Sequence, residues 1–400
     1  MSIVFTQGRN DLLKDLDDKT DDKVINTIQN KMKELFNMKN IHFLFGSGTS
    51  AGAIPTMSTL FDNIKATIDV KPKEDLLRSE FDDIIKRVEG KNLEEILGIL
   101  YSHRSYLIKK ADATEDLTVC NDLIKTVETE IFNQINIDFK DPKIKEALDL
   151  YKRFYRKIAL RNKDLSRINV FTTNNDLFNE RALDSLNIHY INGFSGGLNR
   201  YFNPALFNYT FSKRMDTSID KFEPVENMVN LYKIHGSVNW IEDDSNENTF
   251  FKIKEISSPK FKDENVLIYP TPTKQNKSLG SPYVEMFREF QKKLMEPLSV
   301  LFVIGYSFSD EHVNNVIYQA LATNSTMNLV VINDISDRDL FKVEDDRIFK
   351  IFGEKSEGDK SKIHYFNNIV DLLLPNVNAF KPSEKSLNEF LKFYNDTTSK

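Results

Sequence analysis

Residues 45–52 read FGSGTSAG, a run of glycines and small hydroxyl residues between the apolar IHFL and the segment AIPTM. So little side chain lets a ligand approach the backbone, and a strand running into such a turn usually cradles phosphate. Main-chain N–H groups bind the anion there, helped by the positive end of a following helix. Four further stretches close an apolar run with polar chemistry: TTNND at 172–176, KIHGS at 233–237, GYSFSDEH at 305–312, and VVIND, ending in Asn333 and Asp334. An asparagine positions water without titrating, a histidine near neutrality accepts protons, and a carboxylate holds an amide NH2. Each stretch alone is weak. The Gly-X-Gly turn lacks the third glycine of the dinucleotide fingerprint. A lone histidine after a strand is more often structural than catalytic, and Asn174 or Asp176 can equally form an Asx turn capping the helix DLFNERAL. Placed at strand ends of one sheet, however, all five would meet in one crevice.

The elements that must position them follow from hydrophobic spacing. Residues 21–39 carry apolar side chains at helical intervals, and IHFLF then reads as a short strand buried on both faces. From 58 to 165 the pattern is helical almost throughout, which predicts a helical insertion. Strands return in INVFTT, IHYI, LYKIHG, VLIYP, VLFVIG and NLVVIND, with helical stretches between several of them. The fold class expected is α/β: a doubly wound, mostly parallel Rossmann-like sheet with a large helical insertion. Four segments result: 1–57 with the first helix, first strand and glycine-rich loop; 58–165 as the insertion; 166–381 as the rest of the sheet domain; and 382–400 as a C-terminal helix and tail. The polar stretches 241–263 and 336–361 read as surface excursions.

Composition narrows the function classes. A chain of 400 residues with 40% hydrophobic content can bury a large core. Its net charge of −6 gives no basic signature, so direct nucleic-acid binding is not expected. The single cysteine, Cys120, excludes an internal disulfide and any cysteine-cluster zinc site. The first residues lack a signal-peptide pattern, and the most apolar run, LSVLFVIGYSF, is too short to span a membrane. The expected location is the cytoplasm. His42, His103, His189 and His364 have no metal-ligand companions at i+3 or i+4, so core or surface roles and no metal are expected. His312 is ambiguous, though a place in the first turn of a helix fits it best. Trp240 and KRFYRK read as packing and a solvated helix face rather than a nucleic-acid surface.

The set of strand ends, in this order, resembles the sirtuin superfamily. Within it, the sequence is more similar to bacterial sirtuin-like NAD-consuming effectors of anti-phage defence than to protein deacylases. The resemblance implies that Gly46, Ser47, Gly48 and Ser50 wrap the pyrophosphate and nearby ribose of NAD, with Ile54 and Pro55 completing the loop. It implies that Asn174 orients water and the nicotinamide-side ribose, that Asp176 holds the nicotinamide carboxamide, and that His235 works at the ribose hydroxyls. Gly305 and Ser307 would line the phosphate and adenosine side, with Asn333 at the adenosine ribose. The loop SAGAIPTMS is one residue shorter than is usual in sirtuins, has Ala53 where glycine is common, and lacks the acidic-aromatic-basic triplet of deacylases. With one cysteine the four-cysteine zinc module that walls the deacylase peptide cleft cannot form, which makes water the expected acceptor.

The expected activity is hydrolysis of NAD to nicotinamide and ADP-ribose, with NAD as substrate and no zinc. The alternatives are an NAD-dependent deacylase or ADP-ribosyltransferase, and a catalytically silent NAD or ADP-ribose sensor. The resemblance further implies a homo-oligomer, held inactive until a trigger acts, and a companion ATPase or helicase that would supply contact with nucleic acid.

Overall fold

The computed structural model describes residues 3–374 except 17–19, 71–74, 89–90, 92, 111, 159–164, 216–217, 226, 244–251, 262–264, 268–281 and 354–361. The expected helix at 382–400 lies outside them. The chain opens with β1 (Ile3–Gln7) and β2 (Asn10–Asp11), followed by α1 (Asp21–Phe36) and β3 (Asn40–Phe45). Helices α2 (Met57–Asp69), α3 (Asp75–Arg87), α4 (Leu93–Leu107), α5 (Thr114–Ile135) and α6 (Pro142–Ile158) come next. They are followed by β4 (Ile168–Thr172), α7 (Phe178–Ser185), β5 (His189–Ile191), β6 (Phe194–Ser195), β7 (Arg200–Phe202), β8 (Ser212–Met215) and β9 (Ser218–Pro224). Then come β10 (Met228–Lys233), β11 (Gly236–Glu242), β12 (Ile253–Glu255), β13 (Asn265–Leu267) and α8 (Tyr283–Leu294). The last elements used below are β14 (Ser299–Ile304), α9 (Glu311–Thr323), β15 (Asn328–Ile332) and β16 (Ile348–Gly353).

Among the described residues the main sheet has nine strands in the order β2-β1-β16-β15-β14-β3-β4-β10-β5. It is parallel from β16 to β5 and antiparallel only where β1 meets β16 and β2. This is the expected doubly wound arrangement. Side chains alternate between two cores, as the period of two requires. Ile41, Phe43 and Phe45 face α1, α6 and α7, whereas Leu44, Leu301 and Val303 face α8 and α9. Such strands are buried at every position, and largely apolar, because both faces are covered.

Three expectations about the strands fail. The stretch 336–361 contains β16, a fully buried strand of the main sheet, with Lys350 at its centre. The lysine hid the strand in the sequence, and in the fold its ammonium donates to the carbonyls of Phe341 (2.6 Å) and Val343 (2.8 Å). The stretch 241–263 contains β12, part of a separate antiparallel sheet ordered β13-β11-β12-β7-β6. The strand expected at VLIYP begins as β13 in this second sheet rather than in the main one. Trp240 packs against Phe194 and Phe202 there.

Helices α2 to α5 bury a core of their own, from Leu60 to Phe132, to which Leu177 and Val238 are added from outside. Helix α6 instead places Tyr151, with Phe154 and Tyr155 of KRFYRK, in the core beneath the main sheet, so that stretch is not the solvated face expected: its charged residues alone face outward. Among the described residues no helix is long and apolar enough to cross a membrane.

Chain order places the reversal of winding between β3 and β14: β4 lies on one side of β3, and β14 followed by β15 on the other. In open sheets ligands bind at such a point, beyond the carboxyl ends of the strands. Here the loops after β3 and β14 touch main chain to main chain. A Cβ on Gly46 would lie 2.5 Å from the Gly305 carbonyl oxygen and from Tyr306 Cα, and one on Gly48 would lie 2.7 Å from Gly305 Cα. Gly305 itself has φ +64°, a conformation that favours glycine. Gly46→Ala should therefore lower the unfolding free energy by about 1–3 kcal/mol, as overpacking does. Gly197→Ala, whose methyl would enter open space, should change it by less than about 0.5 kcal/mol. Paired urea titrations check the difference, and equal effects would contradict the contact.

Candidate active site

A cavity of about 300 Å³ opens at this switch point. Its polar end is lined by Ser47, Gly48, Ser50, Asn174, Asp176 and His235, and Ser307 and Asp310 close the far side. Ile54 and Pro55 form part of the rim. Of the positions singled out in the sequence, Gly46, Gly305 and Asn333 do not line it. Gly46 and Gly305 are the packed loop contact, and Asn333 donates from Nδ2 to the Tyr306 carbonyl (3.0 Å), holding the loop after β14. The glycine-rich turn does not run straight into an α-helix. It forms a short 3-10 turn over Ser47–Ser50, and α2 starts only at Met57 behind Thr56 as its cap.

Asn174 ties the strands' ends together. Its Nδ2 lies within hydrogen-bond reach of the Gly46 carbonyl (3.1 Å), Thr49 Oγ1 (3.1 Å) and Ser50 Oγ (3.2 Å). Asp176 is buried, and both of its oxygens are used. Oδ1 accepts from the Phe178 N–H (3.0 Å), the Asx turn considered for this residue, and Oδ2 accepts from Ser50 Oγ (2.8 Å). Tyr151 of α6 shares hydrogen bonds with Thr49 Oγ1 (2.8 Å) and Ser50 Oγ (3.0 Å). Burial, reinforced by the Asp176 charge, holds the Tyr151 phenol above its ordinary range, so it remains neutral. Burial also raises Asp176, against the opposing pull of Lys233.

His235 is nearly buried, and its Nε2 lies 3.0 Å from Asp310 Oδ2. The other oxygen of Asp310 caps α9, accepting from the N–H groups of His312 (2.9 Å) and Val313 (3.4 Å). One carboxylate thus starts a helix and fixes an imidazole. His312 itself is exposed in the first turn of α9.

Sequence reasoning passed over Asp310 and Lys233 as site residues. Lys233 is wholly buried at the end of β10. Its ammonium donates to the carbonyls of Asp176 and Asn175 and to Ser237 Oγ (2.7 Å), and pairs with Glu180 at 3.1 Å. Asn175 completes the junction, donating from Nδ2 to the His235 carbonyl (2.7 Å). Two signals existed: the lysine in the otherwise apolar LYKIHG, and the helix-start pattern Ser-Asp-Glu-His. Neither names its partner, because the partners come from other strands.

The cavity's remaining wall is apolar and belongs to the insertion, with Leu60, Leu93, Ile131 and Ile135 facing it. Among the described residues its lining holds two carboxylates, Asp176 and Asp310, and no lysine or arginine.

Residues 168–350 match the SIR2-like domain. This SIR2-like segment, under half of the chain, includes Asn174, Asp176, His235, Gly305, Ser307 and Asn333, whereas the loop 46–55 precedes it. Two solved structures resemble the chain over most of its length. One comes from work on the mechanism and regulation of Sir2 enzymes, with TM-score 0.39 and 12% identity over 87% of this chain and 95% of that chain. The other is a point mutant of a Sir2 homologue in complex with ADP-ribose, with TM-score 0.39 and 10% identity over 86% and 94%. No curated protein matches the chain.

Removing the buried ammonium that organises the SIR2-like segment's site should be costly. Lys233→Ala leaves Glu180 unpaired and should lower the unfolding free energy by about 3–5 kcal/mol. Chemical denaturation of Lys233→Ala, Glu180→Ala and the double variant checks this. The double variant should lose less than the sum of the singles, and strict additivity would mean that the two groups do not interact.

Proposed function

We propose that the protein hydrolyses NAD to nicotinamide and ADP-ribose in the cavity between β3 and β14. The observation that carries this reading is the meeting of Asn174 and Asp176, from one stretch of sequence, with His235, from another, around one glycine-rich loop. Cleaving the ribose C–N bond releases nicotinamide, already a good leaving group because its ring is cationic. The protein therefore has to stabilise positive charge on the ribose and deliver water rather than supply strong acid. A lining with two carboxylates and, among the described residues, no lysine or arginine suits a cationic ring and an oxocarbenium-like transition state. Phosphates would then be held by the hydroxyls of Ser47 and Ser307 and by loop N–H groups other than those of Gly46, Gly48 and Thr49, which donate within the protein, as the Ser50 hydroxyl does to Asp176.

With Nδ2 of Asn174 engaged by the loop, its carbonyl oxygen remains to accept from water or a ribose hydroxyl. Asp310 favours the His235 tautomer that carries the proton on Nε2, leaving Nδ1 to take a proton from a ribose hydroxyl or through it from water. Asp176, held in place by Ser50 and the Phe178 N–H, is set to accept from the carboxamide NH2.

The wider reading is an anti-phage effector that assembles as a homo-oligomer and stays quiet until a trigger or companion protein acts, since unrestrained NAD loss would be toxic. The control it requires is supported by the apolar wall that the insertion lends to the cavity, because any shift of α2 or α5 would reshape the site.

Chromatography of pure protein incubated with NAD should show nicotinamide and ADP-ribose without an acylated peptide. A strict requirement for acyl-lysine would overturn the reading in favour of deacylation. Asn174→Ala and His235→Ala should each reduce turnover by at least about 100-fold while cooperative melting persists. Light scattering and a fluorescent NAD-analogue assay, with and without the companion, address control. A monomer fully active alone and indifferent to any partner would rule that part out.

A further inference from the structure

Away from the cavity, three helices of the insertion bring together Glu80 of α3, His103 of α4 and Cys120 of α5. A carboxylate oxygen, a ring nitrogen and the thiol sulfur all lie within 4.8 Å of one another, and among the described residues no other trio of such ligands does so. Glu80 Oε1 is 3.1 Å from His103 Nδ1. Cys120 is fully buried, whereas the His103 side chain is 40% exposed and that of Glu80 21%. The thiol therefore forms the inner end of a site whose mouth, carboxylate and imidazole, opens to solvent.

Thiolate, imidazole and carboxylate together are the ligands of a borderline divalent cation, bound at about 2.0–2.3 Å. Tetrahedral bonds of that length place ligand atoms roughly 3.3–3.8 Å apart, so side-chain adjustment on the order of 1 Å closes the present spread. Without a cation, burial, with the Glu80 charge second, pushes the Cys120 thiol up to about 11. Its Sγ then donates weakly to the Leu100 carbonyl (3.5 Å). A cation would displace that proton and offset the carboxylate at the same time.

We propose that Glu80, His103 and Cys120 form a site for one zinc-class divalent cation, with three protein ligands and a fourth position open to water. The ligands come from α3, α4 and α5, so the ion braces the insertion around α5. That helix continues from Cys120 to Ile131 and Ile135 on the cavity wall, about 16 and 22 Å further along its axis. The site is independent of what the cavity binds.

The test uses the full chain stripped by a chelator and titrated with zinc(II) by calorimetry, with melting followed in parallel. The expected result is one zinc per chain, a melting temperature that rises with zinc, and a thiolate-to-metal charge-transfer band when cobalt(II) replaces zinc. His103→Ala, at a half-exposed position that should keep the fold, and Cys120→Ser should each weaken binding at least about tenfold. His189→Ala, an exposed histidine elsewhere, should leave it unchanged. Absence of stoichiometric binding, or binding that survives both ligand variants, overturns the site and leaves Glu80 and His103 as a simple hydrogen-bonded pair.

Discussion

Where the chain turns away on opposite sides of the sheet, the main chain at Gly46 and Gly48 lies directly against Gly305. The Gly48 N–H donates to the Gly305 carbonyl (2.9 Å), and the Gly46 N–H to that of Ile304 (3.0 Å). Two loops without side chains can approach this closely, and any Cβ between them would force the strands' ends apart. Asn174, from the next strand, then fastens onto the Gly46 carbonyl and brings a third loop into register. The glycines thus have a packing reason that is independent of any ligand. The cavity exists because the main chain fills the floor of the crevice and leaves the space above it open.

Around that floor the polar groups hold one another in place. Ser50, Tyr151 and Asp176 form a buried network, and Lys233 reaches beneath it to the carbonyls of Asn175 and Asp176. Glu180 balances the lysine from α7. Buried groups that are fully hydrogen-bonded rigidify a site, whereas a half-satisfied set would be costly. The ordering is therefore largely complete before a ligand arrives.

The strand ends were legible because parallel strands buried on both faces leave continuous apolar runs, and the polar residues that end them are conspicuous. β16 was not legible because Lys350 interrupts its run, and its two carbonyl acceptors lie seven and nine residues earlier in a loop. The second antiparallel sheet escaped notice because its strands are as short as two or three residues and are stabilised by pairing rather than by pattern. Lys233 and Asp310 were visible as residues but not as partners. An ion pair or hydrogen bond between chain positions 50 or more apart leaves no trace in local spacing. The same holds for Glu80, His103 and Cys120, which share no helix and meet only because α3 and α4 both pack on α5.

The position of the insertion follows from the same geometry. The connection from β3 to β4 starts at the crevice, and because the two strands are parallel it must return to the opposite end of the strands, so the insertion leaves beside the site and comes back beneath it. Helices α2 to α5 can fold on their own core because their apolar faces turn toward one another. Helix α6 turns its face to the sheet, covering Phe43 and Phe45 with Phe154 while placing the Tyr151 hydroxyl on the glycine-rich loop. The chain thus returns to β4 through a helix that belongs to the sheet's own layer. The remaining contact of the insertion with the site is the apolar wall around Leu60 and Ile131. An apolar wall carries no directional bonds. It can shift against a fixed polar floor at small cost, which makes it the part of the cavity best suited to respond to events elsewhere in the insertion.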